Sequence, residues 1–171
     1  KKQLLGDLSY LSSLRSKEIE KIVEETGGRL CGVFKSVPYF AQDDSRWANI
    51  LIGGFPGVTM AKYGCAVTSV AMVFNRYGIS ITPGALAQER IFVCYGGDCG
   101  LIVWPNTWPQ TSPKTKLFKN TADGGVNWAT IDSELSQNHP VIINIKITTG
   151  PYAGGEHFVV IVGKVNGKYW V

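Results

Sequence analysis

The chain has 171 residues, of which 44% are hydrophobic and 18% charged, and its formal net charge is +4. This length and apolar fraction suffice for one globular domain with a substantial core. The small charge argues against a nucleic-acid-binding protein, and no apolar run reaches the roughly 18 residues that a membrane span needs. Few charges and frequent glycine are typical of secreted bacterial domains, so we expect a secreted or extracytoplasmic protein.

Residues 1–28 differ from the rest of the chain. Apolar residues recur at helical spacing from Leu4 to Val23, which predicts one broken or two short amphipathic helices, and Gly27-Gly28 follows as a stop signal. We interpret this segment as an N-terminal arm, or alternatively a pro-segment, that packs on a domain of residues 29–171.

A short strand is predicted from Leu30 to Phe34. The chain continues with the segment Val-Pro-Tyr-Phe-Ala-Gln-Asp-Asp-Ser-Arg-Trp-Ala at residues 37–48. Residues 53–57, Gly-Gly-Phe-Pro-Gly, form an irregular loop that either borders a cleft or is a plain surface connection.

The stretch from Gly64 to Gly78 predicts the helix that carries the candidate nucleophile. Apolar residues lie at positions 67, 70, 71, 74 and 77, which is the spacing of a helix with one buried face. Gly78 is placed to end the helix in a left-handed cap, and Gly64 lets other backbone approach its start. Cys65 therefore lies in the first turn, where free N–H groups and the helix dipole favour a nucleophilic thiolate. The alternative for Cys65 is a small buried core residue.

Two further cysteines, Cys94 and Cys99, flank the turn-forming residues Tyr-Gly-Gly-Asp. This spacing predicts a small loop closed by a disulfide, which implies an oxidising compartment. A metal site is a weaker alternative because no second Cys or His pair is nearby, and two free thiols are the other alternative. Cys31 is then unpaired if Cys65 stays free.

The remaining elements complete the fold class. Thr82-Pro83 begins a predicted helix that continues to about Arg90. Residues 127–137 predict another helix, and the β-branched run 141–147 predicts a strand that pairs with residues 158–164. The Asn166-Gly167 turn adds one more strand, so that helices in the front half and a sheet in the back half predict an α+β fold. The aromatic loop of residues 104–109 either walls a binding surface or covers the core.

The composition offers two histidines as a base for Cys65. His139 precedes Pro140 at a helix-to-strand corner. His157 follows the flexible Gly154-Gly155 pair and opens an apolar strand, which places its ring at the strand's mouth. We take His157 as the candidate base; the alternative is a histidine whose hydrogen bonds are satisfied at a strand end.

Three segments, in this order and spacing, resemble the C39-like cysteine peptidases. They are residues 37–48, then Gly64-Cys65-Ala66 opening a helix, then residues 155–163 around His157. The resemblance covers about residues 37–171. These peptidases are relatives of the bacteriocin-processing peptidase domains, and the resemblance implies a papain-like fold, with N-terminal helices packed on a C-terminal antiparallel sheet.

The resemblance also implies the catalytic residues. In the family the matching cysteine is the nucleophile, the matching histidine is the general base, and the glutamine of the first motif helps to form the oxyanion hole. Here these residues are Cys65, His157 and Gln42. A thiolate attacks a carbonyl carbon and an imidazole moves the proton, while the Gln42 amide and the Cys65 N–H would stabilise the oxyanion.

One part of the family pattern is missing from this sequence. The family's aspartate, which orients the histidine, follows the next strand just before a proline. Here Asn166-Gly167 is followed only by residues 168–171. We expect that acid beyond Val171, or else a substitute such as Asn144.

We therefore predict a cysteine peptidase that hydrolyses peptide amide bonds of a peptide or protein substrate through a thioester, without a metal or another cofactor. A papain-fold amidase or acyltransferase acting on cell-wall or other amides would use the same residues. A non-catalytic peptide-binding module is the second alternative; the presence of Cys65, His157 and Gln42 counts against it, whereas the missing acid keeps it open. The relatives cleave leaders after Gly-Gly. Residues 1–28, a helical stretch that ends in Gly-Gly, therefore resemble such a pro-segment, although Glu25 stands where these leaders carry an apolar residue.

Overall fold

The computed structural model describes residues 21, 24, 31–32, 37–103, 126–149, 153–165 and 167–171. Most of the predicted arm and the whole aromatic loop of residues 104–109 lie outside these residues. Of the described residues, those in 37–128 and 142–160 form one compact unit, here the larger unit. Those in 1–36, 129–141 and 161–171 form a second, here the smaller unit. The predicted boundary after residue 28 stays a prediction.

Helices and small sheets alternate along the described chain. The helices are α1 (Met60–Tyr63), α2 (Cys65–Arg76), α3 (Pro83–Leu86) and α4 (Trp128–Ser136), with a 3₁₀ turn at Ile52–Gly54. The strands are β1 (Cys31–Gly32), β2 (Phe92–Tyr95), β3 (Asp98–Ile102), β4 (Val141–Lys146), β5 (Glu156–Ile161), β6 (Gly163–Val165) and β7 (Lys168–Trp170). The predicted α+β class is confirmed. Within the described residues, no helix is long and apolar enough to cross a membrane.

Helix α2 is the central element of the larger unit. The prediction gave it one buried face, but every residue from Val67 to Phe74 is buried. Around it are the other buried apolar side chains of this core, which are Trp47, Ile52, Met60, Leu86, Ala87 and Ile91. Since full burial of one large apolar side chain contributes about 1.5–3 kcal/mol, this core fixes the helix firmly.

The predicted glycine cap at the end of α2 is confirmed. Gly78 has φ +81°. Its N–H donates to the Asn75 carbonyl over 3.1 Å, and the Ile79 N–H donates to the Phe74 carbonyl over 2.9 Å. These are the two bonds of a Schellman motif, which satisfies carbonyls that the helix end would leave unpaired.

Helix α3 begins as predicted but is shorter. The Thr82 side chain accepts the Ala85 N–H over 3.1 Å, so the predicted cap is confirmed. The helix ends at Leu86 rather than near Arg90. The Ala87 carbonyl, which a longer helix would offer to residue 91, instead accepts the Gly53 N–H over 2.7 Å.

Residues 92–102 form a β-hairpin that the sequence interpretation did not include. Strands β2 and β3 are antiparallel, and Cys94 pairs with Cys99 in their register. These two cysteines form the predicted disulfide. The turn between the strands contains Gly96 and Gly97, both at positive φ.

The C-terminal strands form two small sheets instead of the predicted single sheet. β4 pairs with β5, whereas β6 lies between β1 and β7. The pairing changes at Val162, whose N–H donates to the Trp170 carbonyl over 2.8 Å. The strands on either side of the predicted Asn166-Gly167 turn are antiparallel, as expected, with Val165 opposite Lys168.

A polar cluster connects helix and sheet in the smaller unit. The Lys164 ammonium donates to one Asp132 carboxylate oxygen over 2.6 Å, and the Tyr169 hydroxyl donates to the other over 2.7 Å. The hydrogen bond from Lys164 lowers the pKa of Asp132 below its usual value. The pair therefore stabilises the fold above the usual carboxyl pKa, and this contribution is lost as the pH falls through the lowered pKa.

Gly78→Ala should lower the free energy of unfolding by about 1–2 kcal/mol, because an L side chain is strained in the left-handed region. A Cβ at this position meets no atom within 4 Å, so the backbone conformation is the only cost. Gly78→Asn is the matched control, since asparagine tolerates this conformation and should lose less. Urea denaturation measures both variants; equal stability of the alanine variant and the parent would contradict the cap.

Candidate active site

All three predicted catalytic residues lie in the larger unit. Cys65 is the first residue of α2, His157 is the second residue of β5, and Gln42 lies in the loop that precedes α1. The three residues therefore belong to the same compact unit and share its core.

Cys65 is the first residue of α2 and lies in the turn whose N–H groups precede the hydrogen bonds of the helix. Gly64 is the N-cap of α2 and also the C-cap of α1. The Thr68 N–H donates to the Gly64 carbonyl over 2.8 Å, so the N–H groups of residues 65–67 precede the first bond of the helix. Cys65 is a free, half-buried cysteine. A thiolate or an oxyanion at this point would face the positive end of the helix dipole.

A glycine is required at position 64 because Met60 approaches closely, as the choice of glycine there predicts. Its φ of −77° suits any residue, so left-handed backbone is not the reason for a glycine here. A Cβ at Gly64 would fall against the Met60 carbonyl oxygen and within 2.7 Å of the Met60 Cε atom. The start of α2 thus lies directly on α1, without room for a side chain between them.

Gln42 is bonded to the short helix that leads into Cys65. Its Nε2 donates to the Ala61 carbonyl over 2.8 Å. Ala61 lies four residues before Cys65, where a continuous helix would use that carbonyl for the Cys65 N–H. A primary amide has two N–H groups, and among the described residues the second has no acceptor. The structure therefore brings the Gln42 amide to the start of α2, the helix that begins with Cys65, and its second N–H has no acceptor among the described residues.

Backbone hydrogen bonds hold the Gln42 loop on α1. The Ala61 N–H donates to the Ala48 carbonyl, and the Met60 N–H donates to the Ile50 carbonyl, each over 2.9 Å. The backbone of the loop is thus also connected to α1 next to Ala61, whose carbonyl accepts the Gln42 bond.

A hydrogen bond from α2 connects the helix to the strand of His157. The Ser69 hydroxyl donates to the Phe158 carbonyl over 3.3 Å. Ser69 is one turn after Cys65 on the same helix face, and Phe158 follows the half-buried His157. Sequence reasoning missed Ser69, although its spacing of four residues from Cys65 was a usable signal.

Within the described residues, the three candidate side chains are not bonded directly to one another. In the part of the chain that the structure covers, no hydrogen bond joins the Cys65 thiol, the His157 ring and the Gln42 amide to one another. Catalytic hydrogen bonds commonly tighten only in the complex with substrate. The Thr68 hydroxyl next to this site is buried and likewise has no partner among the described residues.

The proposed substitute for the missing acid, Asn144, does not reach His157. Its Nδ2 donates to a carboxylate oxygen of Glu156 over 2.9 Å, so these two side chains share one face of their sheet. His157 follows Glu156 in the strand, and successive side chains point to opposite faces. Asn144 as the orienting group was therefore wrong. The other histidine, His139, lies in the smaller unit with its Nδ1 2.7 Å from a Glu134 carboxylate oxygen.

A groove of about 680 Å³ lies elsewhere in the larger unit. Its lining residues are Ile50, Leu51, Gly53, Gly54, Gln88, Glu89, Arg90 and Phe92. The predicted loop of residues 53–57 thus borders a groove, but Cys65, His157 and Gln42 do not line it. Among the described residues, no group of three or more His, Cys, Asp or Glu side chains could hold a metal ion.

Comparison with known proteins identifies the family of the chain. A family model described as "Peptidase_C39 like family" matches residues 34–169, about four fifths of the chain. The matched range contains Gln42, Cys65 and His157. No curated protein and no solved structure matches the chain.

Gly64→Ala should destabilise the protein by about 1–3 kcal/mol, the usual cost of overpacking. The added methyl group must separate α1 from α2, because the atom it meets is backbone. We also expect slower alkylation of Cys65, since the helix start would shift with the helix. Ala66→Gly is a control on the other side of Cys65 that adds no atom. Urea denaturation with peptide mass spectrometry measures both effects; a Gly64→Ala variant with parental stability would disprove the close contact.

Proposed function

Because the chain belongs to the Peptidase_C39-like family, we propose that it is a cysteine peptidase, with Cys65 as nucleophile, His157 as base and Gln42 as oxyanion donor. Family membership confirms the resemblance drawn from the sequence and indicates a peptidase type of function. The observation that carries the assignment of residues is the bond from Gln42 to Ala61, since it connects the amide donor to the start of the Cys65 helix.

The proposed reaction has two steps. The Cys65 sulfur attacks the carbonyl carbon of the scissile amide while His157 takes the thiol proton. The resulting oxyanion accepts hydrogen bonds from the Cys65 backbone N–H and from the second N–H of Gln42. The C–N bond then breaks, His157 protonates the leaving amine, and water hydrolyses the thioester with His157 as base.

We further propose a papain-like arrangement of these parts, in which the nucleophile helix and the histidine strand lie side by side. The Ser69 bond to the Phe158 carbonyl supports it, because it connects the two elements one turn from Cys65. The Cys94–Cys99 disulfide supports our proposal of an extracytoplasmic location, since such bonds persist in oxidising compartments.

Cys65→Ala should abolish hydrolysis of a quenched fluorescent peptide library while leaving the fold intact, because alanine fills the half-buried position with little loss. Cys31→Ala is the matched control and should retain activity. In the parent protein, Cys65 should be the thiol that iodoacetamide alkylates fastest, and His157→Ala should slow that alkylation. Hydrolysis by the Cys65→Ala variant would exclude the mechanism. Cell-wall peptides are tested beside the library, and the bonds cleaved in each substrate distinguish a peptidase from an amidase.

Gln42→Ala should lower kcat by on the order of a hundredfold, through the loss of one oxyanion donor. Alkylation of Cys65 by iodoacetamide should be unchanged, because that reaction forms no oxyanion. Gln88→Ala removes an exposed glutamine of the same unit and serves as the control. If kcat is the same in the Gln42→Ala variant and the parent, Gln42 is not part of the site.

A further inference from the structure

The backbone beside Gln42 is held by a buried tryptophan. The Trp47 side chain is only 3% exposed, and its indole N–H donates to the Ala41 carbonyl over 2.9 Å. That carbonyl belongs to the peptide group that joins Ala41 to Gln42. The indole therefore fixes the backbone from which the Gln42 side chain projects.

The indole itself has little freedom to move. The Phe40 ring packs against it edge-on, with centroids 5.9 Å apart. The Arg46 guanidinium lies 4.4 Å from the ring centroid and donates to both carboxylate oxygens of Asp44. On α3, a Cβ at Gly84 would lie 2.8 Å from the Trp47 Cβ atom, so helix and tryptophan are in close contact.

Gln42 is thus held at both ends. Its backbone is fixed through Ala41 to the Trp47 indole, and its amide is fixed to the Ala61 carbonyl on α1. With both ends held, the direction of the second Nε2–H is set before a substrate arrives. Such pre-organised donors are the efficient kind, because they need no reorganisation as charge develops.

We propose that Trp47 is a positioning residue for the oxyanion hole, acting through the Ala41 carbonyl on the donor Gln42. This inference rests on the proposed function, in which Gln42 stabilises the oxyanion. A purely structural tryptophan would contribute to stability alone; a positioning tryptophan also contributes to kcat, and only while Gln42 is present.

The test is Trp47→Phe, which keeps an aromatic ring in the core and removes the N–H. We expect kcat on the peptide library to fall about five- to tenfold, the size of one ordinary hydrogen bond, with KM unchanged. In a Gln42→Ala background the same substitution should cause no further loss, because the two residues act as one unit. Trp128→Phe, at a half-exposed tryptophan, is the matched control and should leave kcat unchanged.

A spectroscopic readout keeps the inference separate from the proposed function. The side-chain amide signals of Gln42, assigned by their loss in Gln42→Ala, should move towards free-glutamine positions in Trp47→Phe but not in Trp128→Phe. If the parent shows no Cys65-dependent hydrolysis, the proposed function fails while these signals still decide whether Trp47 positions Gln42. Unchanged signals, an unchanged kcat, or an equal loss of kcat in both Gln42 backgrounds would overturn the inference.

Discussion

The junction between α1 and α2 is the constraint on which the candidate site depends. Gly64 closes one helix and opens the next, and Met60 lies so near that only glycine fits. Because the helix is interrupted here, the Ala61 carbonyl accepts the Gln42 amide, and the first N–H that α2 uses internally is that of Thr68. A continuous helix through this point would bond the Cys65 N–H to the Ala61 carbonyl and leave neither group for Gln42 or an oxyanion.

The rigidity of this junction comes from the core behind it. Residues 67–74 of α2 are buried, and Trp47 and Met60 belong to the same apolar cluster. Cys65, the loop of Gln42 and the helix between them are therefore attached to one packed body. A site held on such a body keeps its geometry without support from the substrate.

Local patterns predicted the caps at the end of α2 and the start of α3, whereas tertiary contacts decided where α3 ends and how the strands pair. The caps at Gly78 and Thr82 and the Cys94–Cys99 disulfide depend on neighbouring residues, so the sequence alone was sufficient. The early end of α3 depends on a bond from Gly53, some thirty residues away in the chain, which no local pattern contains. Likewise, the split of the C-terminal strands into two sheets depends on the partner of Val162.

The candidate site likewise combines a short-range contact, made by Gln42, with a long-range contact to the strand of His157. The bond between Gln42 and Ala61 spans 19 residues, whereas the bond between Ser69 and Phe158 spans 89. Gln42 and Cys65 could be identified from the sequence because each stands in a short motif, whereas Ala61, which accepts the Gln42 bond, lies between those motifs. The bond between Ser69 and Phe158 holds His157 only through the backbone of its strand. Asn144 lies on the face of the sheet opposite to His157. Since closing a long loop costs more entropy than closing a short one, the contact between α2 and the strand of His157 is the costlier of the two to form. Under the proposed function, Cys65 therefore acquires its base only through this long-range contact, whereas Gln42 reaches the start of α2 through a short one.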